Sequence, residues 1–494
     1  MGDFGVPAKQ DDEGLFQMTP VEPPLVESGP VDKVFRAFQP DQLLLVPPSL
    51  DEWLPQEHLA RFIADLVDEH LDLSGFYAGY KEGRGGPPFD PRLMVRVLLM
   101  GYTTGIRSSR KLEAACWDIV AFRWLAGGQA PAYRAIAKFR KRHLSALGHV
   151  FVQALELCQA AGMLSLGRVA LDGTKVRANA SKRKAMSYAR MTEKEKVLAA
   201  EVSALLAEAQ RIDKAEDARF GKNRRGDELP EELRRRETRL AKIGEAKAAL
   251  EAEAAQAARE RAQARATDRG DDDDTAAGKG AAAAEAAAPK PKAQRNFTDP
   301  DSKIMLTGDG AFHQCFNAQA VVDADHQVIV ATDVNTNASD VGNLMPMTEQ
   351  TAANTGQVPD QMLADAGYCS AENLERAAEF TDEHGTDFYI ATGRRRRDEP
   401  PPVAPRGPIP KSATAKQRMA RTLTTKKGHA IYARRKAIVE PVFGQMSTLQ
   451  NAKHLLLRGL DQARGEWLLL AACHNLRKLH GVVGVSGLDT LATI

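Results

Sequence analysis

The 494-residue chain carries 67 Lys and Arg against 65 Asp and Glu, a formal net charge of +2, and 43% hydrophobic residues. That composition excludes wholesale disorder, and the length predicts two to four domains. The longest apolar run, Trp467 to Cys473, has seven residues, against the roughly 18 that a bilayer-spanning helix needs, so no membrane partner is expected.

The polar, acidic start MGDFGVPAKQDDEG reads as no secretory signal. Cysteines 116, 158, 315, 369 and 473 form no CxxC pair, as expected of reduced thiols in a cytoplasmic protein. Near-neutral net charge, taken alone, speaks against a nucleic-acid partner. An average hides its distribution, however.

Residues 1–34 are Pro- and acid-rich and predict a flexible lead-in. Over 35–162 the pattern is helical: Leu59, Phe62, Ile63, Leu66 and Val67 repeat with helical spacing, and Leu93, Val97 and Met100 continue such a stripe after Pro91. Further helices are expected from Ser108 to Trp117, Ile119 to Trp124 and Tyr133 to Leu155. Arg134, Lys138, Arg140, Lys141 and Arg142 make the last one basic, as suits a helix in a DNA major groove or an amphipathic helix with a solvated face. This region predicts an all-helical, DNA-binding N-terminal domain.

The texture changes over 163–187. Arg168 to Arg177 (RVALDGTKVR) opens as a short buried strand with Asp172 at its end. Long charged helices follow within 188–298. Leu198, Val202, Leu205, Ala209 and Ile212 form one heptad seam, and Leu233, Leu240, Ile243 and Leu250 another. They predict an antiparallel helical hairpin from Tyr188 to Ala266, with Pro230 at the start of its second helix and a low-complexity linker from Asp271 to Ala293.

Strand texture returns over 299–480. Phe316 to Asp323 and His326 to Asp333 predict a β-hairpin turning at Ala324-Asp325. Then come a helix from Val341 to Asn354, a strand from Gln361 to Asp365, a helix from Ala371 to His384 and a strand from Asp387 to Ala391. Helices about Ala430 to Thr448 and Glu466 to Leu479 close the pattern before a tail over 481–494. Without the hairpin the order is β-β-β-α-β-α-β-α, a mixed α/β layer.

Three acids stand out by context: Asp172 and Asp365 at strand ends, and Glu440 on a helix in RRKAIVEPVFGQ. In open α/β sheets functional groups collect beyond strand carboxyl ends. Such acids make an oxygen cage for Mg²⁺ or Mn²⁺, and a pair of ions about 3.5–4 Å apart serves phosphodiester displacement. Strand-end aspartates also cap turns, so the acids alone leave both roles open.

The basic residues narrow the choice. Between Arg394 and Lys436 lie 14 Lys or Arg and two acids, a local charge of +12. Lys175, Arg177, Lys182, Arg183 and Lys184 follow closely on Asp172. Basic clusters beside candidate metal ligands are what a phosphate backbone requires. The hairpin, with 19 bases and 17 acids from Tyr188 to Arg269, reads instead as a salt-bridged surface or partner-contacting arm. Asp301 and Asp309 suit turns; His313 and Cys315 lack a second half for a metal site; His474 and His480 read as packed or surface histidines.

In order, LDGTKV, NFTDPDSKIM, FHQCFNAQAVVDADHQVIVATDV, MLADAGY, RRKAIVEPVFGQM, LLLRGL and HNLRKL resemble the bacterial insertion-sequence transposases of the DDE type, over about Phe35 to Leu479. The resemblance implies an RNase H-like core (α/β, α+β overall), preceded by the all-helical domain and interrupted by the hairpin. It implies Asp172, Asp365 and Glu440 as a catalytic, metal-binding triad for two Mg²⁺ or Mn²⁺ ions. DNA cleavage at terminal inverted repeats and transfer into target DNA are implied too, without a covalent protein–DNA intermediate. Relatives carry a Tyr-Arg-Glu-Lys signature on the glutamate helix. Here Lys436 lies one turn before Glu440 with Arg435 beside it, Tyr432 is one residue too distant, and Ser447 stands where the lysine belongs.

The expected DNA contacts are Lys175, Arg177, Arg394, Arg395, Arg396, Arg397, Lys426, Lys427, Arg435, Lys436, Arg140 and Lys141. A homodimer or higher oligomer on DNA is expected, because two ends must be paired, and the nucleoid is the expected place of action. Rival readings are a metal-dependent nuclease without strand transfer and a catalytically decayed DNA-binding protein.

Overall fold

The computed structural model describes residues 49–78, 80, 87–220, 231–393, 407, 409–410 and 412–491. The lead-in over 1–34, the helical start expected at Phe35, Pro230 and Arg394 to Arg397 lie outside the described residues.

The N-terminal part is helical: α1 (Leu59–Asp65), α2 (Ser74–Tyr77), α3 (Pro91–Thr104), α4 (Ser109–Asp118), α5 (Val120–Leu125), α6 (Tyr133–Arg142) and α7 (Leu144–Ala160). The stripe on α1 continues through a π-helical turn, Leu66–His70, and buries Phe62, Ile63, Leu66 and Val67. The Asp90 carboxylate accepts the Arg92 N–H at 2.8 Å, Pro91 takes the first turn of α3, and Gly105 ends it with φ 82°. The single helix expected from Tyr133 to Leu155 is two. His143 leaves helical geometry (φ −105°, ψ 31°), and its ring packs 4.6 Å from that of Phe139.

The sheet is built around β1 (Val169–Arg177). On one side β5 (Phe312–Asp323) runs antiparallel along all of β1, from Val169↔Asp323 to Arg177↔Cys315. On the other, β7 (Gln361–Ala364) runs parallel and meets only Val169 to Leu171. Asp172 is therefore not at the end of its strand, as the sequence suggested. It is the first residue beyond the parallel pairing, inside a strand prolonged by its antiparallel neighbour. β8 (Asp387–Ile390) extends the parallel edge, and β6 (Ile329–Asn335) pairs with β5 outside. The order β6–β5–β1–β7–β8 is an RNase H-like mixed sheet. A strand not anticipated, β4 (Lys303–Leu306), pairs with the first part of β5.

The insertion leaves and rejoins the sheet through a short ladder, β2 (Ala185–Ser187) against β3 (Gln294–Asn296). It holds α8 (Tyr188–Phe220), α9 (Glu231–Thr267) and α10 (Asp273–Glu285). Met191, Leu198, Ile243, Ala246 and Leu250 close a small core of their own. Part of the segment read as linker is helix α10. The Asp272 carboxylate caps it at Thr275 N, 2.8 Å, and Gly280 packs so closely that a Cβ there would lie 2.6 Å from Gln263 Cγ. Its alanines form a helix without the periodicity a sequence reading depends on.

Past β6 come α11 (Leu344–Thr355), α12 (Ala371–His384), α13 (Ala415–Thr424), α14 (Lys426–Ala433), α15 (Arg435–Thr448) and α16 (Leu460–Val483). The one helix expected over Ala430 to Thr448 is broken at Arg434. The N-terminal helices and the sheet share one continuous apolar core. At their junction Arg107 and Glu466 form a fully buried ion pair at 3.0 Å. Arg107 also donates to the carbonyls of Asn451 and His454, and Glu466 accepts Leu456 N and Leu457 N at 2.8 and 2.9 Å.

Candidate active site

Leu171 and Ala364 are paired in parallel register, so the next residues, Asp172 and Asp365, sit on adjacent strands where that pairing stops. Asp172 Oδ1 accepts Gly173 N at 2.8 Å, and Oδ2 accepts Arg435 Nη1 at 2.9 Å. Burial pushes the Asp172 carboxyl above its ordinary range, and Asp365 adds to this, while the Arg435 guanidinium opposes the shift. Asp365 caps the 3₁₀ turn Ala366–Tyr368, its Oδ1 accepting Gly367 N at 2.7 Å.

Helix α15 lies over β1 with Arg435, Ile438, Val439, Val442 and Met446 turned inward. Glu440 falls on a different side of the helix. Its carboxylate is 57% exposed and 3.9 Å from Lys436 Nζ. Pro441 lacks an N–H, so it gives the Ala437 carbonyl no helical partner. Gln327, in the β5–β6 turn with φ 59°, donates from Nε2 to that carbonyl at 3.1 Å. Gln327 Oε1 also accepts Lys478 Nζ at 3.0 Å, and its own carbonyl meets His474 Nε2 at 3.0 Å. One residue thus ties the sheet turn to both α15 and α16.

The structure brings Asp172 and Asp365 together with Arg435, while Glu440 stays with Lys436 and solvent. Among the described residues no three His, Cys, Asp or Glu side chains stand as a finished metal cage. The two aspartates nevertheless match the hard-oxygen preference of Mg²⁺ or Mn²⁺, and both are partly open to solvent.

The expected DNA contacts divide. Lys141, Lys426, Lys427 and Lys436 are exposed. Arg140 points inward, donating to Tyr102 Oη at 3.0 Å and the Arg107 carbonyl at 2.9 Å. Lys175 and Arg177 are engaged with Asp340 at 3.0 Å and Asp309 at 2.5 Å. Both line a cavity of about 560 Å³ that follows β1 beyond Asp172, with Thr174, Phe443, Ser447 and Lys453. Asp301 and Asp309 make turn and cap bonds: Asp301 accepts Leu460 N at 2.9 Å, and Asp309 accepts Ala311 N at 3.2 Å.

Four residues at the site escaped the sequence reading: Asp340, Asn317, Gln319 and Tyr368. A signal for two of them was present. Asn317 and Gln319 are amides two apart in the otherwise apolar stretch from Cys315 to Val322, both fully buried, and buried amides require partners.

Residues 291–476 match the family model of the transposase DDE domain, and residues 48–142 that of a transposase domain, DUF772. The chain belongs to the DDE transposases. Asp340, Asp365 and Glu440 fall inside the DDE match; Asp172 precedes it, across the insertion. No curated protein and no solved structure matches the chain. DDE transposases act on DNA in transposition and generally use divalent metal ions. Among the described residues of this transposase, no helix is long and apolar enough to cross a membrane.

Proposed function

We propose that this transposase cleaves DNA strands at the ends of its element and joins the freed 3′-hydroxyls to target DNA, with Asp172, Asp365 and Glu440 as its metal-binding carboxylates. The observation that carries this reading is the juxtaposition of Asp172 and Asp365, beside a groove lined by Arg177 and Lys453. Divalent ions bound there supply charge neutralisation at phosphorus and lower the pKa of an attacking water. In the first step water attacks the scissile phosphorus and the 3′-oxygen leaves as a hydroxyl. In the second that hydroxyl attacks a target phosphodiester and displaces its 3′-oxygen.

The chain's own residues hold and orient. Gly173 N and Gly367 N fix one oxygen of each aspartate, leaving the other for Arg435 or a ligand. Glu440 joins the pair by a change of rotamer. Its exposed contact with Lys436 resists little, since such pairs are worth about 0–1 kcal/mol. Lys436, Lys426 and Lys427 then meet the phosphate backbone. We place DNA recognition in the N-terminal region 35–162 and catalysis in the split core 163–187 and 299–480. Action is on the nucleoid in the cytoplasm, as a dimer or larger assembly that pairs two ends.

The test uses end-labelled element DNA with Mg²⁺ or Mn²⁺. Asp172→Asn, Asp365→Asn and Glu440→Gln are each expected to lose at least about a hundredfold in strand cleavage with DNA binding kept. Full cleavage by any one removes that residue from the triad. Cleaved ends that never join target DNA would make the protein a nuclease instead.

A further inference from the structure

The DDE chemistry uses one face of β1, and the opposite face carries a charged layer that it leaves unexplained. In the β1–β5 register Gly173 faces Gln319 and Lys175 faces Asn317, so these four share a face, whereas Asp172 and Thr174 share the other with α15. Asp340, five residues past β6, lies under that layer. Its Oδ1 accepts three donors: Asn317 Nδ2 at 2.7 Å, Gln319 Nε2 at 2.9 Å and Lys175 Nζ at 3.0 Å. Gln319 in turn accepts the Tyr368 hydroxyl.

Asp340 also touches the two glycines whose amides hold the aspartates. A Cβ on Gly173 would lie 2.9 Å from Asp340 Oδ1 and 2.5 Å from Gln319 Nε2. A Cβ on Gly367 would lie 3.4 Å from Asp340 Oδ2 and 2.9 Å from Asp365 Oδ1. The side-chain-free positions 173 and 367 are what let a carboxylate approach from behind. Lys175, only 19% exposed, brings a full positive charge to the same place. Unpaired, that ammonium would oppose cation binding at the aspartates by like-charge repulsion.

We propose that Asp340 is a positioning residue for the transposase site: it neutralises Lys175 behind Asp172 and Asp365 and fixes the glycine turns that hold them. The proposal rests on the reading of those two aspartates as metal ligands. It assigns Lys175 an internal partner rather than a phosphate, and it separates the acid that prepares the cation site from the acids that bind the ion.

The experiment is Mn²⁺ titration of the full-length protein without DNA, read by the loss of free-Mn²⁺ EPR signal, with thermal melting of each variant alongside. Asp340→Asn keeps the shape and the acceptor oxygen but leaves Lys175 uncompensated; it is expected to weaken Mn²⁺ binding by about tenfold. Lys175→Met is expected not to weaken it, and Lys175→Met combined with Asp340→Asn to return it to within about twofold of the wild type. A purely structural role predicts the reverse, with the double variant no better than the single. That result overturns the proposal, as does wild-type affinity in a folded Asp340→Asn. If Asp340→Asn does not fold, weaker binding by Lys175→Met overturns it alone. Asp172→Asn in the same titration separates the two readings. Loss there with no change at Asp340→Asn refutes only the positioning role, whereas a wild-type protein that binds no Mn²⁺ refutes the metal reading and this one with it.

Discussion

Two ion pairs in this transposase have the same chemistry and opposite circumstances. Arg107–Glu466, at the junction of the N-terminal helices with α16, is 1% and 0% exposed. Backbone carbonyls and amides of the loop from Asn451 to Leu457 bond to both of its partners. Lys436–Glu440, on the helix over the active site, is 73% and 57% exposed, with its charges 3.9 Å apart. The first holds a loop in one position, since removing either partner strands a buried charge. The second holds nothing firmly. On the proposed role of Glu440 as a metal ligand, a carboxylate that swings toward an ion is better kept in the second kind of pair, and a joint between helical and sheet parts in the first.

The largest effect should come from the joint. Arg107→Ala or Glu466→Ala is expected to lower stability by about 3–5 kcal/mol in urea denaturation; a loss below about 1 kcal/mol would show that the loop is held otherwise.

Next is the pH dependence of the adjoining α16. Burial pushes His474 down to about 4, so the folded protein keeps it neutral where the unfolded chain, near 6.5, takes up a proton. A depressed folded pKa gives stability that is complete above the unfolded value and is lost as pH falls from about 6.5 to about 4. The ceiling is roughly 3 kcal/mol. His474→Gln, able to keep the bond to the Gln327 carbonyl, should flatten that decline in urea midpoints at pH 7, 5.5 and 4.5.

Smaller again is Gln327→Ala, which frees the Ala437 carbonyl above Pro441 and should cost about 1 kcal/mol. Its cleavage rate should fall more than its stability does if α15 must be held in place to present Glu440. At the far end, Lys436→Met should change stability by less than about 0.5 kcal/mol. A loss comparable with that of Arg107→Ala would erase the contrast between the two pairs.

Much of the sheet was legible because its signals are local. Val169 to Leu171 is a short apolar run that becomes the buried start of β1, and Ala371 to His384 carries its own caps, Ser370 and Gly385, so its bounds match the structure. Asp172 and Asp365 were readable as strand-associated acids. Their adjacency depends on the pairing of Leu171 with Ala364, almost two hundred residues apart with the insertion between them. What stayed hidden was hidden for physical reasons. Asp340 sits in a turn with no periodicity, and its partners come from β1 and β5. The break at Arg434 turns Arg435 inward to Asp172, which its place in a basic run could not reveal. Arg140 looked like a DNA contact on a basic helix; a long side chain in such a run faces solvent or core according to a few degrees of helix rotation.

The ladder between β2 and β3 has a consequence for how such a protein can change over time. Ala185 pairs with Asn296 and Ser187 with Gln294, so the chain departs for the arm and comes back one strand-spacing away. Past the ladder, Lys303 on β4 holds Glu253 of α9 at 2.6 Å, and the arm closes on its own small core of Met191, Leu198, Ile243, Ala246 and Leu250. The arm is therefore a cassette: helices can be lengthened, shortened or exchanged there while the distance from Asp172 to Asp365 stays as β1 and β7 set it. A gene encoding this fold can vary its reach without disturbing its chemistry.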